Sequence, residues 1–136
     1  MIRVVMTIWV ALTVALSGVA GVGVARAEPW PPSPCGFTLS PPQVVNVGGV
    51  TKVTATVTSG PCGIAANPHQ SVACLSLQGD EGTRCMQARG RDVAQIYYEP
   101  YRPGATYVST GRGCGIIVPT LPAPNCQLLG PLTATL

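Results

Sequence analysis

Two hydrophobic patterns divide the chain. Residues 4–25 carry no charge and are rich in Val, Ala, Leu and Thr. Beyond Cys35 the apolar residues fall at every second position, the period of a strand with one buried face, and no segment shows helix periodicity. Phe37 and Leu39 share a parity with Val45 and Val47, and Pro41-Pro42 between them predicts an edge strand with a break. Val53, Ala55 and Val57 alternate with Lys52, Thr54, Thr56 and Thr58 after a turn at Gly48-Gly49, the clearest half-buried strand in the chain. Ala73, Leu75 and Leu77 alternate with Cys74 and Ser76, ahead of a hairpin turn at Gly79-Asp80-Glu81-Gly82. Further strands are predicted over 84–88, 93–99 and 104–109. Pro119, Pro122 and Pro124 predict a loop over 118–124, and Leu128, Leu132, Ala134 and Leu136 share the parity of a last strand.

About seven short strands separated by turn residues form the pattern of an all-β, immunoglobulin-like Greek-key β-sandwich, with residues 35–136 as one domain. A barrel is the rival arrangement, and the broken first strand favours the sandwich. Ala105-Thr106-Tyr107 resembles the small-x-Tyr of a tyrosine corner, in which the phenol ties a loop back to a strand start. Ser109 stands where antibody domains carry a cysteine, and no tryptophan falls in the third strand. The resemblance is therefore to the architecture and not to antibody domains proper.

The uncharged N-terminal stretch follows Arg3, loosens at Gly18, Gly21 and Gly23, and ends in Ala25-Arg26-Ala27. A positive start, an apolar middle and a small-x-small end predict a secretory signal peptide over 1–27, cut after Ala27. The stretch is long enough for an uncleaved anchor, and the glycines and cleavage site favour removal, leaving no stable membrane anchor. Cys35 follows Pro32-Ser33-Pro34 rather than a lipoprotein cleavage triplet. Residues 28–34, with Trp30, form a proline-rich lead-in. The expected location is secreted or in the cell envelope.

Two of the eight basic residues, Arg3 and Arg26, lie in the leader, and none of the five acidic residues does, so the remainder is close to neutral. That leaves no electrostatic footprint for nucleic acid or an anionic membrane. All six cysteines follow the leader, and an even number in a small exported domain predicts three disulfides. A zinc site would need a Cys-x-x-Cys pair or more than the single histidine. With strands alternating up and down, the cysteines fall together as 35–62, 74–85 and 114–126. In leader style and composition the chain resembles small secreted proteins of mycobacteria and related actinobacteria, which implies an extracytoplasmic protein.

Catalytic chemistry finds little to work with. His69, in Asn67-Pro68-His69-Gln70, is the only histidine; Ser71 is too near in sequence to complete a triad, and no Gly-x-Ser-x-Gly elbow exists. His69 reads as a solvated turn residue. Asp80-Glu81 reads as an exposed hairpin tip, with too few oxygens for calcium and nothing to raise a carboxyl pKa. No residue is assigned to catalysis, a cofactor or a metal. The cluster Tyr97-Tyr98-Glu99-Pro100-Tyr101-Arg102 combines residue types favoured at interfaces, and Tyr98, Tyr101 and Arg102 are the candidate partner-binding residues. Adjacent strand residues face opposite ways, so one of Tyr97 and Tyr98 belongs to the core.

The expected function is a non-enzymatic binding or surface-interaction module for an extracellular protein or small molecule. One alternative is a small-molecule carrier, similar in architecture to the neocarzinostatin-type apoproteins, with a ligand cleft beside 97–107. The other is an enzyme with an atypical site.

Overall fold

Val53, Ala55 and Val57 are fully buried, and the rest of the architecture is arranged around the row they form. The computed structural model describes residues 33–117 and 121–136; the predicted leader, its cleavage point and most of the lead-in lie outside the described residues. The described residues form β1 (Cys35–Leu39), β2 (Gln43–Val47), β3 (Val50–Cys62), β4 (Ala66–Leu77), β5 (Thr83–Arg89), β6 (Ala94–Tyr98), β7 (Thr106–Ile117) and β8 (Leu121–Thr135). All strand pairs are antiparallel and fall into two sheets.

In the first sheet, β1 and β2 both pair with β3, and β6 also pairs with β3. Thr54 faces Gln43 of β2 in one ladder and Tyr97 of β6 in the other, so β3 is central. The break expected at Pro41-Pro42 separates β1 from β2 along one edge, where a proline's missing N–H is tolerated. Ser40 closes the break: its N–H donates to the Thr56 carbonyl, and its hydroxyl accepts from the Thr56 N–H at 2.9 Å.

The second sheet runs β5-β4-β7-β8. Two sequence expectations are corrected here. Of the loop expected over 118–124, residues 118–120 lie outside the described residues and 121–124 belong to β8; among the described residues β8 pairs with β7 alone, and an edge strand tolerates proline's missing N–H. β4 begins at Ala66, so Pro68 and His69 lie in a strand rather than a turn.

Packing between the sheets is large against small. The first sheet brings in Phe37, Leu39, Val53, Val57, Ile96 and Tyr98. The second answers with Ser71, Ala73 and Ser109 beside Leu75 and Tyr107, and with glycines at 111, 113 and 115 of β7. A methyl group on Gly113 would fall within the Phe37 ring, and one on Gly111 would sit 2.6 Å from Val57 Cγ2. These close approaches require glycine, since protein interiors pack at crystal-like density. Ser109, fully buried, donates its hydroxyl to the Ser40 carbonyl at 2.9 Å and ties β7 to the break in the opposite sheet.

Three disulfides join Cys35–Cys62, Cys74–Cys85 and Cys114–Cys126, and each links residues directly opposite one another in a ladder. Cys35 lies between the sheets at 2% exposure; register places the other two bridges on the outward side of the second sheet, where Cys114 is buried as well. By loop-closure entropy each bridge contributes about 3 kcal/mol.

Candidate functional site

The tyrosine cluster turns out to be mostly structural. β6 places Tyr98 in parity with the buried Ala94 and Ile96, so Tyr98 points inward at 4% exposure and Tyr97 faces out. Its ring meets Tyr107 edge-on, centroids 5.6 Å apart at 75°. Its hydroxyl donates to Asp80 Oδ2 at 3.0 Å, and the Arg84 guanidinium covers its ring at 4.5 Å. Arg84 also donates to the Glu99 carbonyl at 3.0 Å. Burial and the bond to Asp80 push the Tyr98 phenol above its ordinary pKa. The expectation that Tyr98 joins a contact surface is therefore corrected: it fastens the β4–β5 turn to the core.

Tyr101 is half-buried and packs against the core, and Arg102 is exposed. The backbone N–H of Arg102 donates to the Tyr107 hydroxyl at 2.9 Å, the bond expected of a tyrosine corner. Of the three candidates, Arg102 alone is exposed. Tyr97 lies on the outer side of the first sheet beside Lys52, which pairs with Glu99 at 3.0 Å.

A second site, which sequence reading passed over, lies at the opposite end. In the β4–β7 ladder Pro68 faces Gly115 and Gln70 faces Cys114, so His69 is one residue in excess. Such a β-bulge leaves its extra residue unpaired and re-aims side chains. The burial pattern records it: Ala66 and Pro68 point inward, and so do Ser71, Ala73, Leu75 and Leu77 on the opposite parity. The inserted residue puts His69 beside Gln70 on the outward face, where β5 ends at Arg89 opposite Gln70. The Gly90 N–H donates to the His69 carbonyl at 3.0 Å and holds the end of β5 against the bulge.

His69, Gln70, Gln87 and Arg89 line a concavity of about 330 Å³. Gln70 Nε2 donates to Gln87 Oε1 at 3.0 Å, the diagonal contact of neighbouring strands on one face. Register also places Arg112 on this face, opposite Val72 and one row from Gln70. Among the described residues the one ion pair is Lys52–Glu99, so neither Arg89 nor Arg112 meets a carboxylate. Asp92 is the nearest acid in sequence; its N–H donates to the Arg89 carbonyl, and its own carbonyl faces the Ser71 hydroxyl.

Among the described residues no group of three or more His, Cys, Asp or Glu side chains is placed to hold a metal ion. What the concavity supplies is a guanidinium, an imidazole and a coupled pair of amides on a disulfide-bonded sheet, a set suited to holding a polar ligand. The parity change between Pro68 and Ser71 was the sequence signal for it. Compared with protein-family models, curated proteins and solved structures, the chain matches none.

Proposed function

We propose that this chain is an exported, non-enzymatic binding module that holds a small polar ligand on the outer face of its second sheet. The single observation that carries the reading is the bulge at His69, which turns two adjacent polar side chains into one concavity beside Gln87 and Arg89. Its volume of about 330 Å³ falls at the small end of ligand sites.

An immunoglobulin-like Greek-key frame fits this reading. Its support is a sheet of β1/β2, β3 and β6 facing one of β5-β4-β7-β8, with the Tyr107 phenol tied back to Arg102. Three disulfides are consistent with an extracytoplasmic protein, and the predicted leader accounts for its export. The space beside Tyr98 and Tyr107 is filled by those two rings, which weighs against a carrier with its cleft between the sheets there.

Native mass spectrometry of the protein recovered from its own producing cell tests the proposal. The expected spectrum shows a non-covalent adduct that denaturation releases and that an Arg89→Gln variant does not carry. A bare protein, or an adduct indifferent to Arg89, contradicts the concavity as the binding site.

A further inference from the structure

The chemistry of the four lining residues narrows the ligand, and this inference rests on the concavity being the binding site. Arg89 projects from the outward side of β5 opposite Gln70, with no carboxylate partner among the described residues. A guanidinium bounded by neutral amides and an imidazole favours a planar oxyanion, which it binds through paired N–H donors.

The amide pair adds a second requirement. Gln70 and Gln87 use one N–H and one carbonyl on each other. Whichever way the two amides are assigned, one NH₂ group and one carbonyl oxygen remain for a ligand. A bare anion engages the NH₂ group alone and leaves the exposed carbonyl to water. A ligand bearing both an anion and a hydroxyl satisfies both.

Size supplies the third constraint. About 330 Å³ accommodates a single sugar-sized unit and is small for a folded partner's side-chain cluster. Arg112, one row away on β7, adds positive charge to the same face. Cys74–Cys85 and Cys114–Cys126 cross-link the strands on either side, so the donors are held on a stiffened platform.

We infer that the concavity at His69, Gln70, Gln87 and Arg89 binds a hydroxylated carboxylate of monosaccharide size, the uronate class of acidic sugar. Arg89 and the free amide NH₂ take the carboxylate, and the free amide carbonyl accepts from a ring hydroxyl. No bond is made or broken.

The test is amide and side-chain chemical-shift mapping on the ¹⁵N-labelled, disulfide-bonded protein as its own cell produces it. It is titrated separately with glucuronate, with glucose and with acetate. Glucuronate is expected to give saturable shifts at His69, Gln70, Gln87 and Arg89, with glucose at least about tenfold weaker through the loss of the charge-assisted bonds and acetate roughly fivefold weaker through the loss of one neutral hydrogen bond. Arg89→Gln, a change on an exposed edge strand, is expected to remove the glucuronate response while the rest of the spectrum stays unchanged. Glucose binding as well as glucuronate would overturn the requirement for charge, and acetate binding as well as glucuronate would overturn the requirement for hydroxyls; in both, the concavity remains a site. No saturable shift with any of the three overturns the uronate inference, and the adduct experiment above then decides separately whether the concavity binds at all.

Discussion

Gly113 of β7 lies directly beneath the ring of Phe37 in the facing sheet, with no room between them for a methyl group. The largest apolar side chain of β1 is thus accommodated by an absence of side chain on β7, and this contact sets how closely the two sheets approach.

Gly113→Ala is expected to destabilise the protein by about 3 kcal/mol, the upper end of overpacking, because the ring has to leave its place. For a domain of this size that lowers Tm by roughly 10–20 °C. Thermal unfolding by circular dichroism measures it. A change within a degree would show that Phe37 does not pack against Gly113.

Tyr98→Phe removes the bond to Asp80 and keeps the ring against Tyr107, so the expected loss near neutral pH is about 1 kcal/mol. The pH dependence has a definite sign. Burial and Asp80 raise the phenol's pKa above 10.0, so the unfolded chain releases this proton first. The stabilisation is complete below that value and is lost as pH rises through the folded pKa. Chemical denaturation of both proteins between neutral and strongly alkaline pH should therefore show the difference between them shrinking above about pH 10. A difference that grows with pH contradicts the assignment.

Deleting His69 is expected to leave a folded protein with all three disulfides. Without it, Pro68 opposite Gly115 and Gln70 opposite Cys114 become consecutive pairs, and the inward–outward alternation runs unbroken through β4. The concavity disappears with the bulge, so the deleted protein should retain no adduct in native mass spectrometry. Retention of the adduct contradicts the site, and loss of the disulfide-bonded fold shows that the bulge is a structural requirement.

The same residues explain what was legible beforehand. The alternation through Val53, Ala55 and Val57 marked the central strand because one face is wholly buried and period two is then enforced. The disulfide pairing is legible because strands alternating up and down bring Cys35 to Cys62 and Cys114 to Cys126, while Cys74 and Cys85 flank one hairpin turn and face one another across it. The sequence also required one of Tyr97 and Tyr98 to be buried, but only the parity of β6 with Ala94 and Ile96 selects Tyr98. His69 does not read as a strand residue in the sequence because Pro68 is unusual in a strand and the bulge shifts the parity around it. The proline-rich start of β8 reads as a loop in the sequence because proline is disfavoured in strands away from a sheet edge or bulge, and edge position is a tertiary property.

The concavity stands on a sheet ordered β5-β4-β7-β8, in which Cys74–Cys85 pins β5 to β4 and Cys114–Cys126 pins β8 to β7. Tryptic digestion without reduction, followed by mass spectrometry, tests that order most directly. Cleavage at Lys52, Arg84, Arg89 and Arg112 separates the cysteines informatively. The account predicts that peptide 113–136 is closed on itself through Cys114–Cys126, while the peptide ending at Lys52 is joined through 53–84 to 85–89. Peptide 113–136 found bonded to 53–84, as a Cys62–Cys114 bridge would require, contradicts the strand order and the site built on it.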